Sequence, residues 1–212
     1  MQSIDLVQVL IGFLVLLVSL TVHEAAHAWT ADRRGDPTAR LLGRVSFNPA
    51  VHVDPIGTVL FPLVAMLSGL PLIGWAKPVP VNIHRLKHPR RDYVFVAAAG
   101  PLSNLILAVL VSIVASVIGL ELARALLDGE GGIASVLARA VYLNVLLAVF
   151  NMVPVPPLDG GNVLAGLLPP HLAVHFDRLR PWGFLILYAL MFTGLLWTII
   201  APPAGTLLSW LL

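Results

Sequence analysis

The sequence predicts an all-α integral membrane protein, a polytopic helix bundle with a short re-entrant or β segment beside its functional site. Of the 212 residues, 58% are hydrophobic and 11% charged, and the mean hydropathy is +0.90. A soluble domain holds about 45–50% apolar and about 25% charged residues. Crossing the hydrocarbon core takes about 20 apolar residues. Charge-free windows of that order run over Leu6–Val22, Pro55–Ala76, Tyr93–Leu120, Ala140–Leu158 and Pro181–Leu212.

The same composition excludes a soluble globular protein, a disordered chain and a nucleic-acid binder. The net charge of +2 is too small to hold a polyanion. With no cysteine there are no disulfides, thiolate metal sites or cysteine nucleophiles. The first window has no basic stretch before it. It runs into His23, Glu24 and His27 rather than a small-residue cleavage site, so it reads as a retained helix and not a signal peptide.

Nine of the 13 Lys and Arg residues lie in 30–54 and 77–91: Arg33, Arg34, Arg40, Arg44, Lys77, Arg85, Lys87, Arg90 and Arg91. The bias of basic loops toward the cytoplasm places both segments inside, together with 159–180, and the acidic 121–132 outside. A single crossing at Ile56–Gly74 would export one basic loop, and that segment contains Pro62, Gly69 and Pro71. It is therefore expected to be re-entrant, with a simple fifth crossing as the alternative. Residues 77–83 alternate Val79, Val81 and Ile83 with prolines at 78 and 80, which predicts a short edge strand. No internal repeat or linker divides the chain. One membrane domain over 1–212 is expected, with a C-terminal helix at about 181–200.

Residues 23–27 read His-Glu-Ala-Ala-His. On a helix, residues four apart share a face, so His23 and His27 can reach one metal ion. Glu24 lies beside that face, where it can take a proton from a water activated by the metal. The plainer reading is a set of interfacial polar residues. Charged groups cost about 2.5–3.5 kcal/mol each at mid-membrane, however, and a shared cation compensates that cost. A catalytic zinc takes three protein ligands and leaves one position open. Asp159 is a solitary carboxylate after a run broken by Pro154, Pro156 and Pro157, and it suits the third place. A helix N-cap is its alternative role.

These motifs resemble the site-2 proteases, a family of intramembrane zinc metalloproteases. His23–His27 matches the first motif of that family, and Asn151 through Leu158, Asp159 and Gly160 matches its N-x-x-P-x-x-x-L-D-G motif. Gly100-Pro101-Leu102-Ser103-Asn104 is similar to the G-P-x-x-N of the intervening helix, and Asn48-Pro49 with Asp54-Pro55-Ile56-Gly57-Thr58 to a loop of compact bacterial members. The resemblance covers about 5–168, which makes that stretch the expected catalytic core, and it departs from larger members in showing no inserted PDZ and no CBS domain.

The resemblance implies one Zn2+ per chain held by His23, His27 and Asp159, with Glu24 as catalytic base and acid. It also implies that Asn104 and Asn151 hold substrate or support the site. Asn151 is set before Asn104 because it is nearer to Asp159 in sequence. The alternative for both is helix–helix hydrogen bonding. His52 and Asp54 are open between a loop role and a supporting role at the site. The expected partners are the lipid bilayer and a transmembrane protein substrate bound as an extended strand, with no nucleic acid. The expected location is a bacterial cell membrane, with the site toward the cytoplasm.

His171 and His175 repeat the i,i+4 spacing without an intervening glutamate and read as a solvated interfacial helix. His84 and His88 belong to a basic surface run, and Trp29, Trp75, Trp182, Trp197 and Trp210 suit interfacial anchoring. A metal transporter would need polar residues along several helices, whereas Tyr93–Leu120 offers little beyond Asn104 and serines. A membrane metalloprotease with a glutamate third ligand would need one on a later helix, and Glu121 and Glu130 fall in the outer loop.

Overall fold

The computed structural model describes residues 6–68, 75–128 and 132–212. The regular structure is all helical, and no strand occurs among the described residues. Among the described residues, three helices are long and apolar enough to cross a membrane: α1 (Leu6–Arg33), α4 (Pro89–Val117) and α6 (Ile133–Asn151). At 1.5 Å per residue, the 28 residues of α1 extend about 42 Å against a hydrocarbon core of about 30 Å. The helix is thus about 12 Å longer than the core is thick, and His23 to His27 lie in its C-terminal half.

The helix α4 is central and packs on α1, α6 and the short α7 (Asp159–Leu167). Small residues make this possible: Ala108 and Ala115 of α4 and Ala138 of α6 are fully buried. Without large side chains between them the helix backbones approach closely, which is how helices associate where lipid removes the hydrophobic drive. Val141 and Val145 of α6 complete this core with Ile200 from the C-terminal helix α10 (Leu195–Leu211).

The remaining elements are short: α2 (Thr38–Leu41), α5 (Leu122–Asp128), α8 (Pro170–Asp177) and α9 (Gly183–Phe192). A π-helical turn, Pro55–Leu60, runs into α3 (Phe61–Ser68). The C-terminal segment differs from the single helix expected at 181–200. Its path, α8 through α9 and then α10, bends by 78° at the break between α9 and α10. Gly194 stands there at φ +77°, a left-handed conformation that glycine adopts without steric cost.

The two ends of the segment expected to be re-entrant meet. Trp75 N–H donates to Gly57 O at 3.0 Å and Thr58 Oγ1 to Trp75 O at 2.8 Å. Residues 57 and 75 are therefore neighbours in the structure. Residues 69–74 of that segment lie outside the described residues.

The edge strand expected at 77–83 is corrected. Residues 75–82 form no strand, and a 3-10 turn follows at Ile83–Arg85. Prolines at 78 and 80 remove two ladder donors. The N–H groups of Val79 and Asn82 go instead to side chains, Glu24 Oε2 at 3.1 Å and Asp36 Oδ2 at 2.6 Å.

Candidate metal centre

The helices α1 and α7 bring His23, His27 and Asp159 together. One ligand-type atom from each lies within 4.8 Å of the others. Nε2 of His23 is 3.0 Å, and Nε2 of His27 is 3.3 Å, from the same oxygen, Asp159 Oδ2. Two donors held about 2.0–2.1 Å from one tetrahedral zinc are separated by about 3.3 Å. The observed spacings are thus close to the edges of a zinc tetrahedron, and an N, N, O donor set suits that metal.

Local structure explains the convergence. The i,i+4 spacing stacks the two histidines, whose rings meet edge-on at 4.7 Å. His27 Nδ1 pairs with Val96 O at 2.7 Å and His23 Nδ1 with Asn104 Oδ1 at 2.6 Å. In both rings Nδ1 is engaged and Nε2 is turned toward Asp159. Asp159 is the first residue of α7, and Leu158 occupies the N-cap, so the carboxylate is not spent on capping. Arg90 of α4 donates to the carbonyl of Leu168 just past the end of α7, which ties that helix to α4.

Gly100 of α4 leaves the room. A Cβ at that position would overlap Nε2 of both His23 and His27. The absence of a side chain here admits the two rings and whatever they bind.

Glu24 is buried beside the two histidines and accepts the Val79 N–H. The stretch that supplies this donor is itself held in place, since the Arg44 guanidinium donates to Lys77 O and Lys77 N–H to His52 O at 2.9 Å. Arg44 and His52 are buried, and the side-chain atoms Arg44 Nε and His52 Nδ1 have no hydrogen-bond partner among the described residues. Burial pushes both groups below their ordinary pKa values, and for His52 the Arg44 cation acts in the same direction.

The other expected residues fall as follows. Asn104 is fully buried against His23. Asn151 ends α6, and its Nδ2 donates to Leu147 O of its own helix at 3.0 Å. His52 bonds Ser46 O through Nε2 at 2.8 Å. Asp54 caps the π-helical turn, accepting the N–H groups of Ile56 and Gly57 at 3.0 and 2.7 Å. His171 and His175 are exposed on α8, away from the centre. Trp75 packs edge-on between Phe61 and Phe184. Sequence reasoning did not single out Asn144, Ser19 or the buried role of Arg44. An amide in the middle of the apolar run of α6 was the signal for Asn144.

Comparison with known proteins identifies the family. The profile of Peptidase family M50 matches residues 11–129 and 123–193. The chain is 38% identical over 185 residues to the Bacillus subtilis protein named "Putative zinc metalloprotease YwhC", covering 86% of this chain and 80% of that one. It is 35% identical over 183 residues to "Putative zinc metalloprotease Rip2" of Mycolicibacterium smegmatis, covering 84% of this chain and 64% of the relative. The Rip2 protein of Mycobacterium tuberculosis H37Rv is 31% identical over 164 residues, with 76% of this chain and 57% of the relative covered. No solved structure matches the chain. The family match and the first relative together establish that this multi-pass membrane protein belongs to peptidase family M50, the site-2 protease family of zinc metalloendopeptidases.

Proposed function

We propose that the protein hydrolyses peptide bonds in or near transmembrane segments of membrane-protein substrates, using one zinc ion held by His23, His27 and Asp159. The observation that carries this reading is the convergence of both Nε2 atoms on Asp159 Oδ2 near the end of a membrane helix, with Glu24 alongside. When bound, zinc would supply Lewis acidity at the peptide carbonyl and bring the pKa of a water to about 7.

The chain's own residues do the rest. Glu24 accepts a proton as the water oxygen adds to the carbonyl carbon. As the C–N bond breaks, the same carboxyl returns that proton to the leaving amine, so the products are a free acid and a free amine. The Val79 N–H keeps the carboxylate oriented during both transfers.

A transmembrane helix keeps its carbonyls shielded and hydrogen-bonded, so the scissile segment must unwind into extended form. The 75–82 stretch passes Glu24, and it receives the unwound peptide through main-chain bonds. Asn151, at the end of α6, fixes the other edge of the peptide. The basic residues of 30–54 and 77–91 set the site toward the cytoplasm of a bacterial membrane, and 1–212 acts as a single domain.

Zinc analysis and cleavage of membrane peptides by the purified protein test this reading. Glu24→Gln retains zinc and loses cleavage by roughly 10²–10⁴-fold, the range for a general base or acid. His23→Ala, His27→Ala and Asp159→Ala lose zinc. Full zinc occupancy in Asp159→Ala would sink the ligand assignment, and undiminished cleavage by Glu24→Gln would sink the assigned base.

A further inference from the structure

Deep in the bundle, Ser19 of α1, Asn104 of α4 and Asn144 of α6 are each at most 1% exposed. Polar side chains at such depth are costly unless every donor finds an acceptor. Here the bonds form a chain that runs in one direction.

Ser19 Oγ donates its only proton to Val15 O at 2.8 Å, so it faces Asn144 as an acceptor. Asn144 Nδ2 donates to Ser19 Oγ at 2.9 Å and to Ala140 O at 2.8 Å. Both of its protons are then committed, and Oδ1 turns toward Asn104. Asn104 Nδ2 donates to Asn144 Oδ1 at 2.7 Å and to Ser19 O at 3.2 Å. Only its Oδ1 remains, and that atom faces His23 Nδ1 at 2.6 Å. An atom that can only accept requires a proton on Nδ1, and in the neutral ring this leaves the lone pair on Nε2.

Backbone carbonyls prevent the chain from reversing. Val15 O, Ala140 O and Ser19 O accept and cannot donate. A flipped Asn104 would set its Oδ1 against two acceptors, Ser19 O and Asn144 Oδ1. His27 reaches the same state more simply, by pairing Nδ1 with Val96 O.

We propose that Asn144 and Ser19 are positioning residues. Anchored on the α1 and α6 backbones, they lock the Asn104 amide and thereby the Nδ1–H form of His23, so that Nε2 is the atom offered to the metal. The inference rests on the ligand set proposed above.

Zinc affinity, measured by chelator competition on the purified full chain, reads this directly. Asn144→Leu keeps the number and branching of the side-chain heavy atoms and has no polar one. It should weaken zinc binding roughly 10–100-fold, the usual cost of losing a group that orients a metal-bound histidine. Val141→Ala, one turn earlier on α6 and fully buried, controls for packing and should leave affinity nearly unchanged. Asn104→Leu should lose affinity. Asn104→Asp should keep it, because its carboxyl still presents an acceptor to His23 Nδ1–H.

Imidazole ¹⁵N spectra of the zinc-loaded wild type need no variant and should show His23 ligated through Nε2 with a proton on Nδ1. Unchanged affinity in Asn144→Leu, an equal loss in Val141→Ala, or ligation through Nδ1 would each overturn the proposal. His23→Ala separates the two readings. If it keeps zinc, the ligand set itself fails. If it loses zinc while Asn144→Leu does not, only the relay fails.

Discussion

Glu24 and Val79 are 55 residues apart in sequence, yet the Val79 N–H donates to Glu24 Oε2 at 3.1 Å. One hydrogen bond thus joins the carboxylate proposed to move the proton to the stretch proposed to hold the substrate. Arg44 and His52 brace that stretch from the other side through the peptide groups of Lys77. The proton-transfer group and the peptide platform are therefore fixed relative to each other before any substrate arrives, which is what orienting a reacting bond requires.

Replacing Val79 with proline removes that donor and leaves the three candidate ligands alone. A hydrogen bond to a charged group is worth about 1.5–3 kcal/mol, and about 1.36 kcal/mol is a tenfold change in rate. Val79→Pro should therefore lower kcat roughly 10–100-fold at unchanged zinc content. Initial rates on a transmembrane peptide, with zinc measured on the same sample, check this. Equal rates would mean that Glu24 is oriented by other groups.

Gly100→Ala makes a sharper test of the metal cradle. The added methyl would overlap Nε2 of both histidines, while alanine favours a helix over glycine by about 0.8–1.0 kcal/mol. The expected signature is a fall in zinc affinity of about tenfold or more, without loss of helix content by circular dichroism. A variant that binds zinc as tightly as wild type would place the metal away from this face of α4.

The candidate site was legible because its chemistry is local. The i,i+4 spacing of His23 and His27 fixes a shared face in any helix, and Asp159 stood alone among apolar residues and prolines. What was not legible depends on how helices turn toward one another. Nearness in sequence set Asn151 before Asn104, but the rotation of α4 against α1 puts Asn104 on His23, and Asn151 bonds its own helix. Ser19 and Asn144 meet only because α1 and α6 bury the same face. The alternation of Val79, Val81 and Ile83 predicted a strand, but a strand needs a neighbour, and the nearest acceptors were side chains. Gly194 breaks the C-terminal run where a lone glycine is often tolerated within a helix. Burial of Ile200 beneath α6 accompanies that bend.

Placement of the two basic segments can be read by labelling. Lys87 N–H donates to Arg34 O at 3.0 Å, and Arg34 pairs with the Asp92 carboxylate at 3.1 Å. Segments in direct contact at the end of α1 and the start of α4 lie on one side of the membrane. The chain has no cysteine, so Arg33→Cys and Lys87→Cys each introduce a single thiol at an exposed position. Both should react with an impermeant maleimide only when the cytoplasmic face is accessible. Labelling from opposite faces would require a full crossing between them and would contradict the contact.

Acid sensitivity is expected at His52, which lies outside the spanning helices. Its ring is 2% exposed, with Nε2–H donated to Ser46 O and Nδ1 without a partner. Burial, and next to it the Arg44 cation, lower its pKa in the folded protein, while the Ser46 carbonyl and the more distant Glu24 carboxylate act against them. The unfolded chain, with an ordinary histidine near about 6.5, therefore binds more protons in the interval between the two values. Stability rises with pH across that interval. The contribution is complete above the unfolded value and is lost as the pH falls through the folded one. Protonation would place a second cation beside Arg44 and a new N–H at Nδ1, which has no hydrogen-bond partner among the described residues. His52→Gln keeps a donor for Ser46 O and does not titrate. The unfolding midpoint of metal-free wild type should therefore fall further than that of His52→Gln as the pH is lowered from about 7 to about 5. Working without metal keeps protonation of His23 and His27 from entering through zinc release, and both proteins share whatever those residues contribute to the metal-free fold. Parallel curves would mean that His52 is solvated when charged and that the 44–58 loop opens in acid.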